Sequence, residues 1–199
     1  MSHRLILASV TAILKNIIEN GLVDRAITTS IGSESLVAAL PPDRIATGAD
    51  EKAQLNLFLY HVVPKGLNSQ SRHANTVDGE PSNRTPQALD LYYLLTAYGA
   101  QDFQIELLLG HALEVLNEHV LLTPEMIEAT LAALSSPVGG RIVQPAMATL
   151  AAPGLAAQFA QIKICPQSMN IEEMSRLWAM LQARYRPSAA YKVSVVING

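Results

Sequence analysis

The sequence predicts an α+β fold, a single mixed β-sheet with helices packed on it. Apolar residues recur at three- and four-residue steps in some segments, as on one face of a helix. In other segments they recur at every second residue, as on one face of a strand. The 199 residues, 49% hydrophobic and 16% charged, can bury roughly 70% of the unfolded surface. We therefore expect a single domain over residues 1–199 that needs no disulfide or metal to fold.

The first element is predicted to be an amphipathic core helix that ends at Gly21. Its apolar residues follow one helical face: Leu5, Ile6, Val10, Ile13, Leu14, Ile17 and Ile18. Thr11, Lys15 and Asn16 interrupt the apolar run, and no small-residue cleavage site follows, which argues against a signal peptide. With these interruptions, no segment is predicted to reach the run of about 18 apolar residues that a membrane span requires.

Two long strands are predicted in the first half of the chain. In residues 54–64, leucines alternate with polar and aromatic residues, the period of a pleated strand, and Pro64 is expected to end it. In residues 88–99 both alternating faces are largely apolar, which predicts a central strand. Residues 22–31 are rich in β-branched residues and predict one irregular strand before a turn-rich connection.

Two helices are predicted next. Asp102 has the chemistry of an N-cap, and one apolar helical face runs on to about His119 through Ile105, Leu108, Leu109, Ala112, Leu113 and Leu116. A shorter helix begins at Thr123 and Pro124, with threonine as the cap and proline in the first turn. Its inward-facing residues are predicted to be Met126, Ile127 and Leu131.

The last part of the chain is predicted to contain a strand, a helix and a final strand. A connection rich in Ala, Gly and Pro at residues 137–157 leads to the strand at 158–165. The helix at 170–182 begins with a capping box. Its buried stripe is predicted to be Ile171, Met174, Leu177, Trp178 and Leu181. The final strand covers residues 189–198.

Residues 65–86 form a polar segment with only Leu67 and Val77 as large aliphatic residues, so the segment cannot pack a core of its own. Connections above about 15 residues without secondary structure are uncommon in a compact domain, and those that occur are usually functional or disordered. We expect a projecting arm, with a plain hairpin loop as the alternative.

Composition argues against several partners. The net charge of −3 gives no attraction for nucleic acid or anionic lipid, which call for clustered Lys and Arg. The one cysteine, Cys165, cannot form an internal disulfide and is expected to be a buried thiol, as in a reducing cytoplasm. We therefore predict no nucleic-acid partner and no membrane contact.

The sequence contains none of the short enzyme signatures GxxxxGK[ST], GxGxxG, GxSxG, HExxH and CxxC. The segment 139–141 (GGR) lacks the strand and helix that shape a phosphate loop. His111 shares a helix face with Glu114 or Glu118, but no third metal ligand is evident. A small enzyme using His61, His111 or Glu114 is the alternative from another class. We predict that the chain is not an enzyme and needs no cofactor.

Several strings in the sequence resemble one protein family. They are PPDRIATG from Pro41, QLNLFLYHVVP from Gln54, LDLYYLLTAYG from Leu89, ELLLGHALEVLNEH from Glu106 and NIEEMSRLWAMLQARYRPSAAYKVSVV from Asn170. They resemble the cap proteins of extracellular contractile injection systems, the group that contains the Photorhabdus virulence cassette and the antifeeding prophage. LLTAYG and RYRPS are the most specific strings. The resemblance covers nearly the whole chain.

The resemblance implies a phage tail-terminator-like subunit that forms a hexameric ring on the last layer of tube and sheath. Such a ring stops polymerisation and seals the distal end of the particle. The implied partners are copies of the chain itself and the sheath and inner-tube proteins. Assembly would take place in the cytoplasm, and the cap would then be part of the particle. The alternative within this class is a neck or baseplate adaptor of the same kind of particle.

Two surfaces are predicted to make these contacts. A sheet edge, with the strand ending at Asn198 as the candidate, is expected to accept an extended segment of a sheath subunit, because unpaired backbone groups template strand addition. The residues on one face of that strand are Tyr191, Val193, Val195 and Ile197. The arm is expected to order against a neighbouring subunit or the tube through Asn68, Arg72, Asn75 and Arg84.

Overall fold

The computed structural model describes residues 5–24, 36–48, 51–65, 87–135 and 154–198. The helices in these ranges are α1 (Ile6–Asp24), α2 (Gln104–Glu118), α3 (Pro124–Ser135) and α4 (Ile171–Met180). The strands are β1 (Leu36–Ala38), β2 (Gln54–Lys65), β3 (Gln87–Tyr98), β4 (Leu121–Leu122), β5 (Phe159–Gln167) and β6 (Ser188–Ile197). Single 3₁₀ turns cover Pro42–Arg44 and Ala156–Gln158.

The strands form one six-stranded sheet in the order β1-β2-β3-β6-β5-β4. β1 runs parallel to β2, and the other neighbouring pairs are antiparallel. The sheet is therefore mixed, and the predicted α+β class is confirmed. β3 lies inside the sheet between β2 and β6, as its two apolar faces predicted.

The main core lies between one face of the sheet and the helices α1, α2 and α3. α1 contributes fully buried residues such as Val10, Ile13 and Ile18, and β3 contributes Leu91 and Leu95. The window Ile6–Val23 has a mean hydropathy of 1.4, enough in length and composition to cross a membrane, but 61% of it is buried within the protein. Helices that pack in a core pass the same test, and α1 packs in this one.

α1 continues through Gly21 to Asp24, so the predicted helix end at Gly21 is wrong. A Cβ at Gly21 would lie 2.4 Å from Cγ2 of Val115, and glycine therefore allows α1 and α2 to approach closely. Leu22 is a buried residue of α1, which contradicts the strand predicted from residue 22. Residues 25–35 lie outside the described ranges. β1, which was not predicted, begins directly after them.

β2 and β3 confirm the predicted strands to within a residue or two at their ends. Leu55 and Leu57 are buried, as their alternation predicted. The register between β2 and β3 shifts between Leu59 and His61, so the two-residue alternation is broken there. Pro64 does not end β2, which continues to Lys65.

Helix beginnings and exposed faces differ in part from the predictions. Phe103, with a φ of 67° and no side-chain cap bond, precedes α2 in the cap position predicted for Asp102. The capping box of α4 is confirmed: Glu173 N–H donates to Asn170 Oδ1 at 2.8 Å. Of the residues expected to be buried, Met126 is 39% exposed and Ile171 is 91% exposed. Met174, Leu181 and Cys165 are only partly buried.

Candidate assembly surfaces

β6 lies inside the sheet, with β3 on one side and β5 on the other. An interior strand has no free backbone groups for strand addition. The prediction that the strand ending at Asn198 is a sheet edge is therefore wrong. Its four candidate residues face the main core and are at most 3% exposed: Tyr191, Val193, Val195 and Ile197.

β2 forms most of one edge of the described sheet. β1 pairs only with the first three residues of β2, Gln54 to Asn56. After β1 the chain leaves the sheet, and the Asn56 side chain holds this segment in place. Asn56 donates to the Leu40 carbonyl at 2.9 Å and accepts from Leu40 N–H at 3.0 Å. Among the described strands, residues 57–65 pair with β3 alone. The outer side of this stretch is an edge at which a further strand can pair.

Several features of β2 limit uncontrolled pairing at this edge. The bulge between Leu59 and His61 distorts the strand locally. Pro64, which has no N–H, and the half-exposed Lys65 follow at the end of the strand. Edge strands use bulges, proline and lysine to avoid aggregation. The edge is thus restricted to a short segment rather than open along its whole length.

The opposite edge is formed by β4, which pairs with β5 through only two residues. Ile164 N–H also donates to the Val120 carbonyl at 2.8 Å. Beyond this short pairing, Cys165 to Gln167 of β5 pair with β6 alone among the described strands. This second edge is shorter than the one on β2.

The second face of the sheet, away from the main core, is covered at one end by α4. Leu177 and Trp178 of α4 pack on Leu94 of β3. Beside them is an open groove of about 640 Å³ lined by Met169, Met174, Trp178 and Tyr185 among others. The Trp178 and Tyr185 rings meet edge to face at 5.8 Å. Within the described ranges, the buried Trp178 Nε1 has no hydrogen-bond partner.

The remainder of the second face presents two rows of cross-strand neighbours. One row runs His61, Tyr92, Lys192, Cys165. The next runs Val63, Asp90, Ser194, Lys163. The His61 and Tyr92 rings lie against each other, with 5.5 Å between their centroids. Paired residues share a face, so this surface combines aromatic rings with lysines.

Asp90 is the buried charge on this face. Its Oδ2 lies 2.8 Å from Lys65 Nζ, and its Oδ1 accepts from Ser194 Oγ at 2.6 Å. Burial by itself would raise the pKa of Asp90, but the hydrogen bonds from Lys65 and Ser194, with the charges of Lys65 and Lys192, lower it overall. Asp90 therefore stays ionised and fixes Lys65 on this face.

The two most specific strings of the sequence, LLTAYG and RYRPS, meet in the structure. Thr96 Oγ1 lies 3.2 Å from Ser188 Oγ. Glu51 joins the strings a second time, because its carboxylate accepts from Arg186 Nη2 at 2.7 Å and from Gly99 N–H at 3.1 Å. Burial raises the pKa of the adjacent Tyr98 to about 12. These residues connect β3 to the segment that enters β6.

The candidate catalytic residues do not form a metal site in the described ranges. His111 Nδ1 and Glu114 Oε2 lie 3.7 Å apart on α2. His119 Nδ1 instead contacts the Val115 carbonyl at 2.7 Å. In those ranges no group of three or more His, Cys, Asp or Glu residues is close enough to hold a metal ion.

Several candidate residues lie outside the described ranges. They include the glycine-rich segment 139–141 and the four polar residues of the segment 65–86: Asn68, Arg72, Asn75 and Arg84. The contact role of these four residues stays a prediction. β2 was overlooked as an edge because its periodicity shows which faces it has but not which strands lie beside it.

Solved structures that are similar to the chain include two from contractile injection particles. One is the sheath/tube terminator, in its extended state, of an extracellular contractile injection system, PVC. The other is the anti-feeding prophage cap, an AFP tube terminating cap. Both are 16% identical and cover 89% of this chain, with TM-scores of 0.46 and 0.47. The chain spans 55% and 54% of them, about half their length.

No curated protein matches the sequence. A family model does match, the Pvc16 N-terminal domain, over residues 9–198. This match covers nearly the whole chain and confirms the family that the sequence strings indicated. The chain belongs to the Pvc16 N-terminal domain family.

Proposed function

We propose that the chain is a structural cap subunit that terminates and seals the distal end of the tube and sheath of a contractile injection particle. The observation that carries the proposal is the family match over residues 9–198. The terms sheath/tube terminator and tube terminating cap, which name the two similar solved structures, describe this role. On the strength of the family match we extend it to this chain.

The proposed role is performed by binding rather than by catalysis. Subunits form a homo-hexameric ring that contacts the sheath and inner-tube proteins. The domain assembles in the cytoplasm as one unit and then becomes part of the particle. A ring stacked on a filament needs one surface for its neighbours in the ring and another for the layer below. The two sheet edges and the second sheet face offer such separate surfaces.

The edge of β2 is the surface that we assign to the sheath. Residues 57–65 pair with β3 alone among the described strands and leave backbone groups free on the outer side. An extended segment can add there as a further strand, with main-chain hydrogen bonds giving affinity. Because the bulge and Pro64 restrict the pairing length, the edge favours one specific segment over indiscriminate association.

Proline substitution at two consecutive residues of β2 tests this assignment. Val62 pairs with Leu91, and Val63 pairs with Asp90. Consecutive residues of a strand direct their N–H groups to opposite sides, so one of these two valines directs its N–H to β3 and the other directs it outward. Val→Pro at the inward residue is expected to destabilise the fold. At the outward residue it should leave the thermal unfolding midpoint nearly unchanged but abolish sheath binding in a pull-down. Normal sheath binding by the folded outward variant would sink the edge assignment.

The polar segment at residues 65–86 is proposed as a second contact. Its four polar candidate residues, Asn68, Arg72, Asn75 and Arg84, suit hydrogen bonding to a neighbouring subunit or to the tube. The support for this proposal is the composition of the segment and its place between β2, the assigned edge, and β3.

The capping role itself is tested on particles made with and without the protein. Without a terminator, tube and sheath polymerisation has no stop, so particles are expected to be heterogeneous in length and open at the distal end. Electron microscopy measures both properties. Re-supplying the protein should restore a uniform length, whereas localisation of the protein at the baseplate would favour the adaptor role instead.

A further inference from the structure

The second face of the sheet carries a concentration of positive charge. Three lysines lie on its open part or at its end, against one acidic residue in the described ranges: Lys65, Lys163 and Lys192, with Asp90. This surface, together with His61 and Tyr92, is called the basic face below. The positive charge of the basic face contrasts with the net charge of −3 of the whole chain. Leu121, which pairs with Lys163, adds a 48% exposed apolar side chain.

The opposite side of the molecule carries the contrary charge. α2 and α3 pack on the other face of the sheet, and residues 102–135 contain six acidic residues but no Lys or Arg. Five of the six lie on the two helices and are exposed: Glu106, Glu114, Glu118, Glu125 and Glu128. These five residues are called the acidic face. Two exposed apolar side chains lie among them, Leu107 at 46% and Met126 at 39%.

Complementary charges on opposite sides of one chain favour head-to-tail contact between copies of that chain. In such a heterologous contact each subunit uses one face for the copy before it and the other for the copy after it. Opposite potentials steer the encounter and fix the orientation, and like faces repel, which disfavours a two-fold dimer. Exposed ion pairs alone are weak, so the apolar side chains on each face contribute to the contact.

We propose that the basic face docks the acidic face of a second copy of this chain, so that subunits associate head to tail. The proposal rests on the proposed function, for which it names the contact between subunits of the ring. As the partner of the basic face, an acidic protein surface is favoured over nucleic acid because the chain itself supplies such a surface. Only part of the face is basic, and the chain as a whole is acidic.

Charge reversal on each face tests the contact. The variants are Lys163→Glu with Lys192→Glu on the basic face, and Glu125→Lys with Glu128→Lys on the acidic face. Each is expected to weaken self-association of the full chain by about tenfold or more at low salt, measured by analytical ultracentrifugation, since attraction becomes repulsion. Mixing the two variants should restore association, because each then presents the charge that the other lacks.

Arg44→Glu with Lys52→Glu is the matched control. It changes the net charge by the same amount as the basic-face variant, but its two residues lie in the segment before β2 and do not belong to the basic face. This control should associate like the wild type. The neutral variant Lys163→Gln with Lys192→Gln, checked by circular dichroism, should also weaken association and separates loss of contact from misfolding. Raising the salt concentration should weaken the wild-type association in parallel.

Three results would overturn the contact: a wild-type chain that stays monomeric, reversal variants that fold and associate like wild type, or a mixture that fails to regain association. Loss of binding to a single-stranded oligonucleotide with self-association unchanged would reassign the basic face to nucleic acid. Folded reversal variants that stay monomeric yet still close particle ends would support the contact in solution but overturn its assignment to the ring, and they would leave the capping role intact. Self-association that follows the expected pattern, with normal particle ends in the absence of the protein, would leave the contact intact but overturn the capping role.

Discussion

Asp90 illustrates how one buried carboxylate organises a surface. It is only 4% exposed, yet it lies on the open part of the second sheet face. Lys65 and Ser194 satisfy the hydrogen-bonding capacity of its carboxylate, and the carboxylate in turn holds the side chain of Lys65, the last residue of β2, on this face. The two-residue alternation of β3 by itself places Asp90 on the same face as Tyr92. It could not show the lysine, because Lys65 is distant in the chain and meets Asp90 only through strand pairing.

The substitution Asp90→Asn is expected to lower the free energy of unfolding by about 1–3 kcal/mol at pH 7, since Lys65 and Ser194 then donate to a neutral acceptor in place of a charged one. The pKa of Asp90 is lowered in the fold. Its charge therefore stabilises the protein above the unfolded pKa of about 3.9, and this contribution is lost as pH falls through the lower folded value.

Urea unfolding at pH 7 and pH 3 measures the effect. The difference between wild type and Asp90→Asn should shrink at pH 3, while the exposed Asp102→Asn serves as a control with little effect at either pH. An equal difference at both pH values would show that the charge of Asp90 does not stabilise the fold.

At the scale of elements, most helices and strands follow from periodicity. The alternation in β2, β3 and β6 predicted these strands, and the capping box predicted the start of α4. β1 and β4 were missed because three or two residues are too short to show a period. The position of β6 inside the sheet was also missed, since strand order depends on pairing between distant segments.

Gly21 shows a second limit of local patterns. A glycine near the end of an apolar helical stretch predicts a helix end, but here it marks a close contact between α1 and α2. Nothing in the sequence around Gly21 identifies Val115 as its neighbour. Only packing distinguishes a helix-ending glycine from a glycine that makes room.

The substitution Gly21→Ala should therefore destabilise the protein, by about 1–3 kcal/mol, despite the better helix propensity of alanine. The added Cβ would lie 2.4 Å from a Val115 methyl group. Adding Val115→Ala should relieve the clash, so that the double variant loses less than the sum of the two single variants.

Gly110→Ala in α2 is the matched control. A Cβ added at Gly110 would have no neighbouring atom within 4 Å, so this substitution should stabilise the protein by roughly 0.5–1 kcal/mol. Thermal or urea unfolding measures all four variants. If Gly21→Ala were as stabilising as Gly110→Ala, the close packing of α1 on α2 would be contradicted.

At the scale of the whole molecule, the sheet separates surfaces that the proposed capping role requires to be distinct. The helices α1, α2 and α3 cover one face, α4 covers part of the other, and among the described strands β2 leaves one edge for pairing. The family was identifiable from sequence strings spread along the chain, and LLTAYG and RYRPS prove to be neighbours across β3 and β6. The positions of the assembly surfaces could not be predicted from the sequence, because they depend on the order of the strands in the sheet, which local sequence patterns do not show.

The most direct test of the capping role is electron microscopy of the distal end of particles assembled without this protein and with it re-supplied. We predict open ends and a broad length distribution without the protein, and closed ends of uniform length with density for the protein on the last layer after re-supply. Closed ends of normal length in its absence would contradict the capping role.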